Sequence, residues 1–439
     1  GSLVAISFSD FRLLSGSIFR FFCMELITIL NRCYPQKGFV YVKTCFAKSN
    51  KYEIEATVVA RKNSRPYCSK CGTRCQTYDH LPVRHFEFIP FWGFSVFLLY
   101  SSRRVNCKKC GILVEQLPWA IGKNQLTIAF MQYLAHWAKK LSWKDVAVSF
   151  NISWEKVFKS VEYVVDWGLS RRNLNNITAI GVDEIQWHKG HKYLTLVYQI
   201  NADCVRLLWI GKERTEEAFS EFFNFLGKEK TSMIEFVCSD MWKPYLKVIK
   251  EHASKALHIL DRFHIVARLN KALDEVRADE HRKMKNDGYE PVLTKARWLL
   301  LKRPENLTEK QDAKLNDLLK YNLKSIRGYL LKEEFQLFWN YISPIWAGKF
   351  LDHWLTRVMR SRIGPLKKEA KTIRTHKDLI LNWFRAKKAF SSGIVEGLNN
   401  KVKLTVRKAY GFRTFKCAEI ALYHCLGKLA EPPITHKFY

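Results

Sequence analysis

A chain of 439 residues that is 47% hydrophobic and 14% aromatic can bury a substantial core in two or three domains, which excludes a disordered or fibrous protein. Its 73 Lys and Arg against 41 Asp and Glu leave a formal charge of +32 spread over most of the chain. That surface suits a polyanion, with nucleic acid favoured over a membrane. No apolar run reaches the roughly 18 to 20 residues of a membrane span, and no secretory signal is evident, so the twelve cysteines read as metal ligands and buried thiols in an intracellular protein.

The chain opens Gly-Ser, and Met24-Glu25-Leu26-Ile27 reads like a natural start. Residues 1–23 are therefore expected to be a tag, a fusion scar or translated upstream sequence. Residues 24–118 hold two knuckles, Cys68-Ser69-Lys70-Cys71-Gly72 and Cys107-Lys108-Lys109-Cys110-Gly111. Each Cys-x-x-Cys-Gly turns tightly enough to aim two thiolates at one ion, and together they offer the four sulfurs of a structural Zn²⁺ site. The spacer between them is longer than in a usual zinc ribbon, but Phe86–Ile89 and Phe94–Tyr100 read as strands joined by Pro90-Phe91-Trp92-Gly93, a hairpin that would bring the knuckles together. Replacement of one ligand by Cys75 or His80, and four buried free thiols, are the competing readings.

Residues 119–172 change to a helical period. Leu126–Lys140 has a broad apolar face, and two shorter helices follow, with Ser142 and Ser153 at N-cap positions and Asn151 at the break. This is the outline of a helix-turn-helix, whose second helix would offer Trp154, Lys156 and Lys159 to DNA; packing of three structural helices is the plainer alternative.

Residues 173–278 begin with three strand-like runs, Ile177–Ile185, Tyr193–Ile200 and Val205–Ile210, then a helix, a strand ending at Asp240, a second helix, and a strand ending at Asp261. This order is that of a ribonuclease-H-like α/β fold, in which Asp183 and Asp240 project from neighbouring strands. Two such aspartates repel each other, and a divalent ion relieves the repulsion. Residues 279–385 read as an α-helical insertion, with a capped start at Leu307-Thr308-Glu309-Lys310, breaks at Ser343-Pro344 and Gly364-Pro365, and basic runs around Arg357 and Lys367 that suit either a DNA channel or a solvated surface. Residues 386–439 carry a last amphipathic helix, capped by Ser391 or Ser392. Val395, Leu398 and Val402 lie on its apolar side, and Glu396, Asn400, Lys403 and Arg407 on its polar side. That polar order suits a metal ion followed by a nucleic-acid backbone.

Gly181-Val182-Asp183-Glu184, Val237-Cys238-Ser239-Asp240-Met241-Trp242, Ile259-Leu260-Asp261-Arg262-Phe263-His264 and Ser391 through Lys401 resemble the signature segments of the ISL-three family of bacterial insertion-sequence transposases, which are DDE enzymes. The resemblance also takes in the knuckles, the helix pair and Tyr410-Gly411-Phe412-Arg413, from about Met24 onward. It implies a catalytic triad of Asp183, Asp240 and Glu396 holding two Mg²⁺ or Mn²⁺ ions, with Asp261 and His264 beside the site. It further implies terminal inverted repeats and target DNA as partners, a homodimer or higher assembly on DNA, no membrane, and a bacterial cytoplasmic, nucleoid-associated setting. A nuclease of the same fold that cuts without joining, and a zinc-bearing DNA-binding regulator with an inert catalytic fold, are the rival functions.

Overall fold

A computed structural model describes residues 25–433 except 189, 191, 291 and 389–391. The expectations for residues 1–23, and for a cap at Ser391 or the Ser392 side chain, lie outside the described residues. Two compact units emerge among the described residues, one formed by residues 25–136 together with Pro433, the other by Trp137–Pro432. The protein is mixed α/β, and its described residues include two five-stranded sheets. No helix among them is long and apolar enough to cross a membrane.

The first unit is built on β1 (Phe39–Phe46), β2 (Glu53–Ala60), β3 (Gln76–Phe91), β4 (Phe94–Cys107) and β5 (Gly111–Val114), in the order β1-β2-β4-β3 with β5 on β4. The expected hairpin is present, with longer arms. β3 and β4 run 16 and 14 residues around a turn at Trp92-Gly93, whose φ angles are 49° and 84°, the doubly left-handed backbone that suits the twist of a tight hairpin. Its buried face packs Phe39, Phe86 and Tyr100 edge-on around the fully buried Trp119. Arg103 and Glu115 form a buried, hydrogen-bonded ion pair at 2.6 Å, so neither charge is stranded in the core.

The second unit opens with helices Trp143–Ser149 and Trp154–Leu169. Ser142 and Ser153 accept from the N–H of Asp145 and Lys156, and Asn151 turns between the helices at φ 51°, as their sequence positions suggest. Its sheet comprises β6 (Ala179–His188), β7 (Lys192–Ile200), β8 (Val205–Lys212), β9 (Phe236–Ser239) and β10 (Leu257–Leu260), in the order β10-β9-β6-β7-β8. β6, β7 and β8 form an antiparallel meander, and β9 and β10 add parallel to β6. One face of the sheet is covered by helices Glu216–Leu226 and Lys243–His252 through Phe219, Phe222, Phe223 and Tyr245. Helix Ser392–Lys408 packs against β6 and β7 through Val395, Leu398 and Val402.

The described residues between β10 and helix Ser392–Lys408 are mostly helical, with 3₁₀ turns and irregular connections. Thr308 and Gln311 form a capping box, and Pro344 and Pro365 stand in the first turns of their helices. One helix runs from Arg262 to Asn286, without a break at residue 279, where the insertion was expected to begin. Its distal half is mostly charged, so the apolar stripe that marks a helix in sequence fades while backbone hydrogen bonding continues. The main core of this helical segment gathers Phe335, Phe338, Trp339, Trp354, Trp383 and Phe384; Trp383 is thus a core residue.

Candidate active site

Parallel pairing sets the level of the aspartates. Gly181 on β6 pairs with Cys238 on β9, an offset of 57 positions, and 57 positions also separate Asp183 from Asp240. Leu260 on β10 pairs with Ser239 on β9, and the same offset relates Asp261 to Asp240. Carried just past the last paired residues, the register aligns Asp183, Asp240 and Asp261 across three adjacent strands. Gly181 and Asp183 share a face of β6, because strand side chains alternate.

Helix Ser392–Lys408 lies on that face. A Cβ on residue 181 would come within 2.6 Å of Val395 Cγ2, so glycine is what permits the close approach. Two strand residues advance about 6.6 Å and four helical residues about 6 Å, so Asn399, one helical turn beyond Val395, comes level with Asp183. Its amide donates to Asp183 Oδ2, while its Oδ1 accepts from the Tyr198 hydroxyl at 2.7 Å. The tyrosine thereby orients the amide with its N–H groups toward the carboxylate. Glu396 stands on the same helix, exposed and without a hydrogen bond or ion pair among the described residues.

Glu184 and Asp240 share one cation. Arg214 approaches Glu184 Oε1 at 2.8 Å and Asp240 Oδ2 at 3.5 Å, and its guanidinium lies 4.1 Å from the centre of the Trp242 ring. Asp240 Oδ1 also accepts from the Trp242 N–H at 2.9 Å. Burial pushes the Asp183 carboxyl up; His264 and the Glu184 N–H oppose that shift, while Asp240 adds to it. Glu184 is pushed up to about 7, first by burial and then by Asp240, against the pull of Arg214. A hydrogen bond with Tyr245 adds to the pull of Arg214, and among the described residues the Arg214 Nε is buried without a hydrogen-bond partner. Glu184 and Asp240 thus share the single charge of Arg214, with Asp183 beside them, and buried carboxylates that outnumber the cation they share are in the condition to take up a divalent ion. Asp261 accepts from the Phe263 N–H at 2.7 Å, capping its helix, and lies 3.8 Å from His264 Nε2.

Asp183, Asp240 and Glu396 do not form a set in which all three side chains bring an oxygen within 4.8 Å of the other two. Among the described residues, the cysteines Cys68, Cys71, Cys107 and Cys110 are the only such set of three or more metal-binding side chains. Gly72 and Gly111 take left-handed φ angles of 67° and 78°, as the knuckles require. Cys71 Sγ stands 3.5 Å from Cys107 Sγ, close to the roughly 3.8 Å expected between sulfurs that share a tetrahedral Zn²⁺. Hydrogen bonds from Thr73 bring the Cys71 thiol down to about 6. Cys75 and His80 stay outside the quartet.

The residues expected to meet DNA are mostly accessible. Trp154, Lys159, Asn400, Lys403 and Arg407 are exposed, and Lys156 is half-buried. Asn399, Arg214 and Tyr198 were not singled out from sequence, nor was Glu184 beyond its place in a signature segment. Only the apolar spacing that turns Asn399 inward, beside the polar face of its helix, hinted at any of them.

Comparison with known proteins bears on what this site serves. The ISL-three DDE family profile, described as "Transposase", matches residues 180–422. A transposase for insertion sequence element IS1001 from Bordetella parapertussis is 30% identical over 349 residues, covering 79% of this chain and 85% of that protein. A transposase for insertion sequence element IS1557 from Mycobacterium tuberculosis is 30% identical over 392 residues, covering 82% and 86%. The class is that of DNA transposases, enzymes whose family chemistry depends on divalent metal ions. Within it, the chain belongs to the ISL-three family.

Proposed function

We propose that this transposase mobilises an insertion sequence by cleaving DNA at the element's terminal inverted repeats and joining the freed 3′ ends to target DNA, with Asp183, Asp240 and Glu396 as the catalytic triad. The observation that carries the assignment is the shared register offset that levels Asp183 with Asp240, together with the seating of the Glu396 helix on Gly181 of the same strand. The strand order, a meander extended by two parallel strands, supports a ribonuclease-H-like core from residues 173–278 and 386–439, interrupted by the helical insertion 279–385.

The three carboxylates would hold two Mg²⁺ or Mn²⁺ ions, which when bound supply activation of the attacking oxygen and stabilisation of the leaving one. The excess of buried carboxylate over arginine fits that role. Asn399 keeps Asp183 in one orientation, and Arg214 restrains Asp240 from the opposite side. In the first reaction, water attacks the phosphodiester in line and leaves a 3′-hydroxyl. In the second, that hydroxyl attacks a target phosphodiester, and the target's 3′-oxygen departs. Lys403 and Arg407, about two and three helical turns beyond Glu396, grip the flanking phosphates, and Asn400 faces the same way.

The cysteine quartet would hold a structural Zn²⁺ in the module 24–118, and residues 119–172 would act as a helix-turn-helix that reads the repeats through Trp154, Lys156 and Lys159. Cutting two ends together calls for at least a homodimer on DNA, in the cytoplasm beside the nucleoid. The decisive experiment measures strand cleavage and joining on DNA carrying the element's own ends, with Mg²⁺ or Mn²⁺, for the intact chain and Glu396→Gln. Joining that needs the metal and vanishes in the variant, with DNA binding retained, supports the assignment. Equal activity in the two proteins removes Glu396 from the triad.

A further inference from the structure

On the insertion's side of the aspartate cleft, two cations lie on two indoles. The Arg262 guanidinium sits over Trp339 at 5.1 Å, and the Lys388 ammonium sits over Trp383 at 5.0 Å while donating to the Trp339 carbonyl at 3.0 Å. The indoles meet edge to face, 5.2 Å between centroids, and both are buried, so their ring faces are fixed platforms. Arg262 and Trp383 line the same cleft as Asp240, Asp261 and His264.

Arg262 makes no hydrogen bond or ion pair among the described residues, and it is half-buried. Burial and the nearby Arg303 both press against its charge. A partly desolvated guanidinium is ordinarily matched by a carboxylate, and the face of an indole recovers only part of that loss. Lys388 is placed by the end of helix Lys377–Arg385. Lys387 and Lys388 take left-handed φ angles, 51° and 60°, and their N–H groups donate to the Phe384 and Trp383 carbonyls at 3.0 and 3.1 Å, the hydrogen-bond pair that closes a helix and turns the chain away from it. That turn seats Lys388 on Trp383.

We propose that Arg262 and Lys388, seated on Trp339 and Trp383, form a phosphate-binding subsite for the DNA strand next to the scissile phosphodiester. The inference rests on the transposase reading and deepens it. A guanidinium stacked on an indole keeps its edge free to donate two parallel N–H bonds to one phosphate, whereas the lysine adds a point charge. The subsite also answers an electrostatic problem, because Asp183, Glu184, Asp240 and Asp261 together repel the polyanion whose bond is to be broken. Arg262 and Lys388 would draw the strand in from the insertion side and hold it level with the aspartates.

The test uses the full-length chain, a nicked DNA duplex of arbitrary sequence and no added divalent ion, with dissociation constants read by fluorescence anisotropy over a salt series. Each lost phosphate contact reduces the slope of log affinity against log salt by about 0.9. Arg262→Gln and Lys388→Gln are each expected to show that reduction with an unchanged melting temperature, and Arg262→Lys to keep the wild-type slope while binding several-fold more weakly. Wild-type slope and affinity in Arg262→Gln overturn the subsite while leaving the transposase reading intact. Should Arg262→Gln fail to fold, Lys388→Gln decides by the same slope. A wild-type chain that neither binds nor cleaves DNA carrying its element's ends overturns the transposase reading itself.

Discussion

The cysteine quartet and the carboxylate site solve opposite problems. Four thiol sulfurs lie within 4.8 Å of one another, brought together by one long hairpin and its following turn. The aspartates Asp183, Asp240 and Asp261 come from segments as much as 78 positions apart, and strand register levels them at the same end of the sheet. The difference is one of charge. A thiol sheds its proton only as a metal or a hydrogen bond favours the thiolate, so sulfurs can crowd together beforehand. Carboxylates are ionised at neutral pH, and crowding them without a cation costs free energy or pushes one toward its protonated form; Glu184 is pushed up to about 7 first by burial and then by Asp240. One site is shaped by its local fold, the other by its strand register, and each should fail differently.

The largest effect is expected in the first unit. Chelation, or Cys107→Ser, removes a metal whose binding is typically coupled to about 10 kcal/mol or more of folding free energy. The result should be loss of one zinc per chain and protease sensitivity confined to the first unit, with the second still folded; a chain with no bound zinc and full resistance would break the contrast. In the second unit, Asp183→Asn, Asp240→Asn or Glu396→Gln should each lower cleavage and joining at least a thousandfold, about 4 kcal/mol of barrier, while the melting temperature stays within a few degrees.

The next effect is on stability as a function of pH. Glu184 is raised in the folded chain from 4.5 to about 7, so the folded state binds its proton more tightly than the unfolded one. Its contribution is fully present below pH 4.5 and is lost as pH rises through 7, a change on the order of 2 kcal/mol. Denaturant titrations in the absence of divalent ions should show this decline, and Glu184→Gln should flatten it. Gly181→Ala should then cost about 1 to 3 kcal/mol and lower activity, since its Cβ meets Val395, and adding Val395→Ala should restore part of both. The smallest effect belongs to Tyr198→Phe, about 1 kcal/mol, with a raised divalent-ion requirement in the cleavage assay because Asn399 loses the bond that orients it toward Asp183.

Much of this architecture could be read along the chain. The knuckles, the caps at Ser142, Ser153 and Thr308, the β3–β4 hairpin and the strand-helix order all depend on hydrogen bonds and turns within a few residues, which leave their mark on neighbouring side chains. The carboxylates were likewise visible as strand-end and helix-face residues. The length of helix Arg262–Asn286 was not, because its distal half has no apolar stripe to announce it.

What sequence alone determined, then, is the inventory of ligands and the elements that carry them. Only the tertiary structure decided that Asp183, Asp240 and Asp261 stand level, that Gly181 admits Val395, and that Asn399 and Arg214 hold two of the aspartates from different sides. Those relations join residues up to 216 positions apart. They arise from strand register and close packing between distant segments, to which no local period or propensity is sensitive.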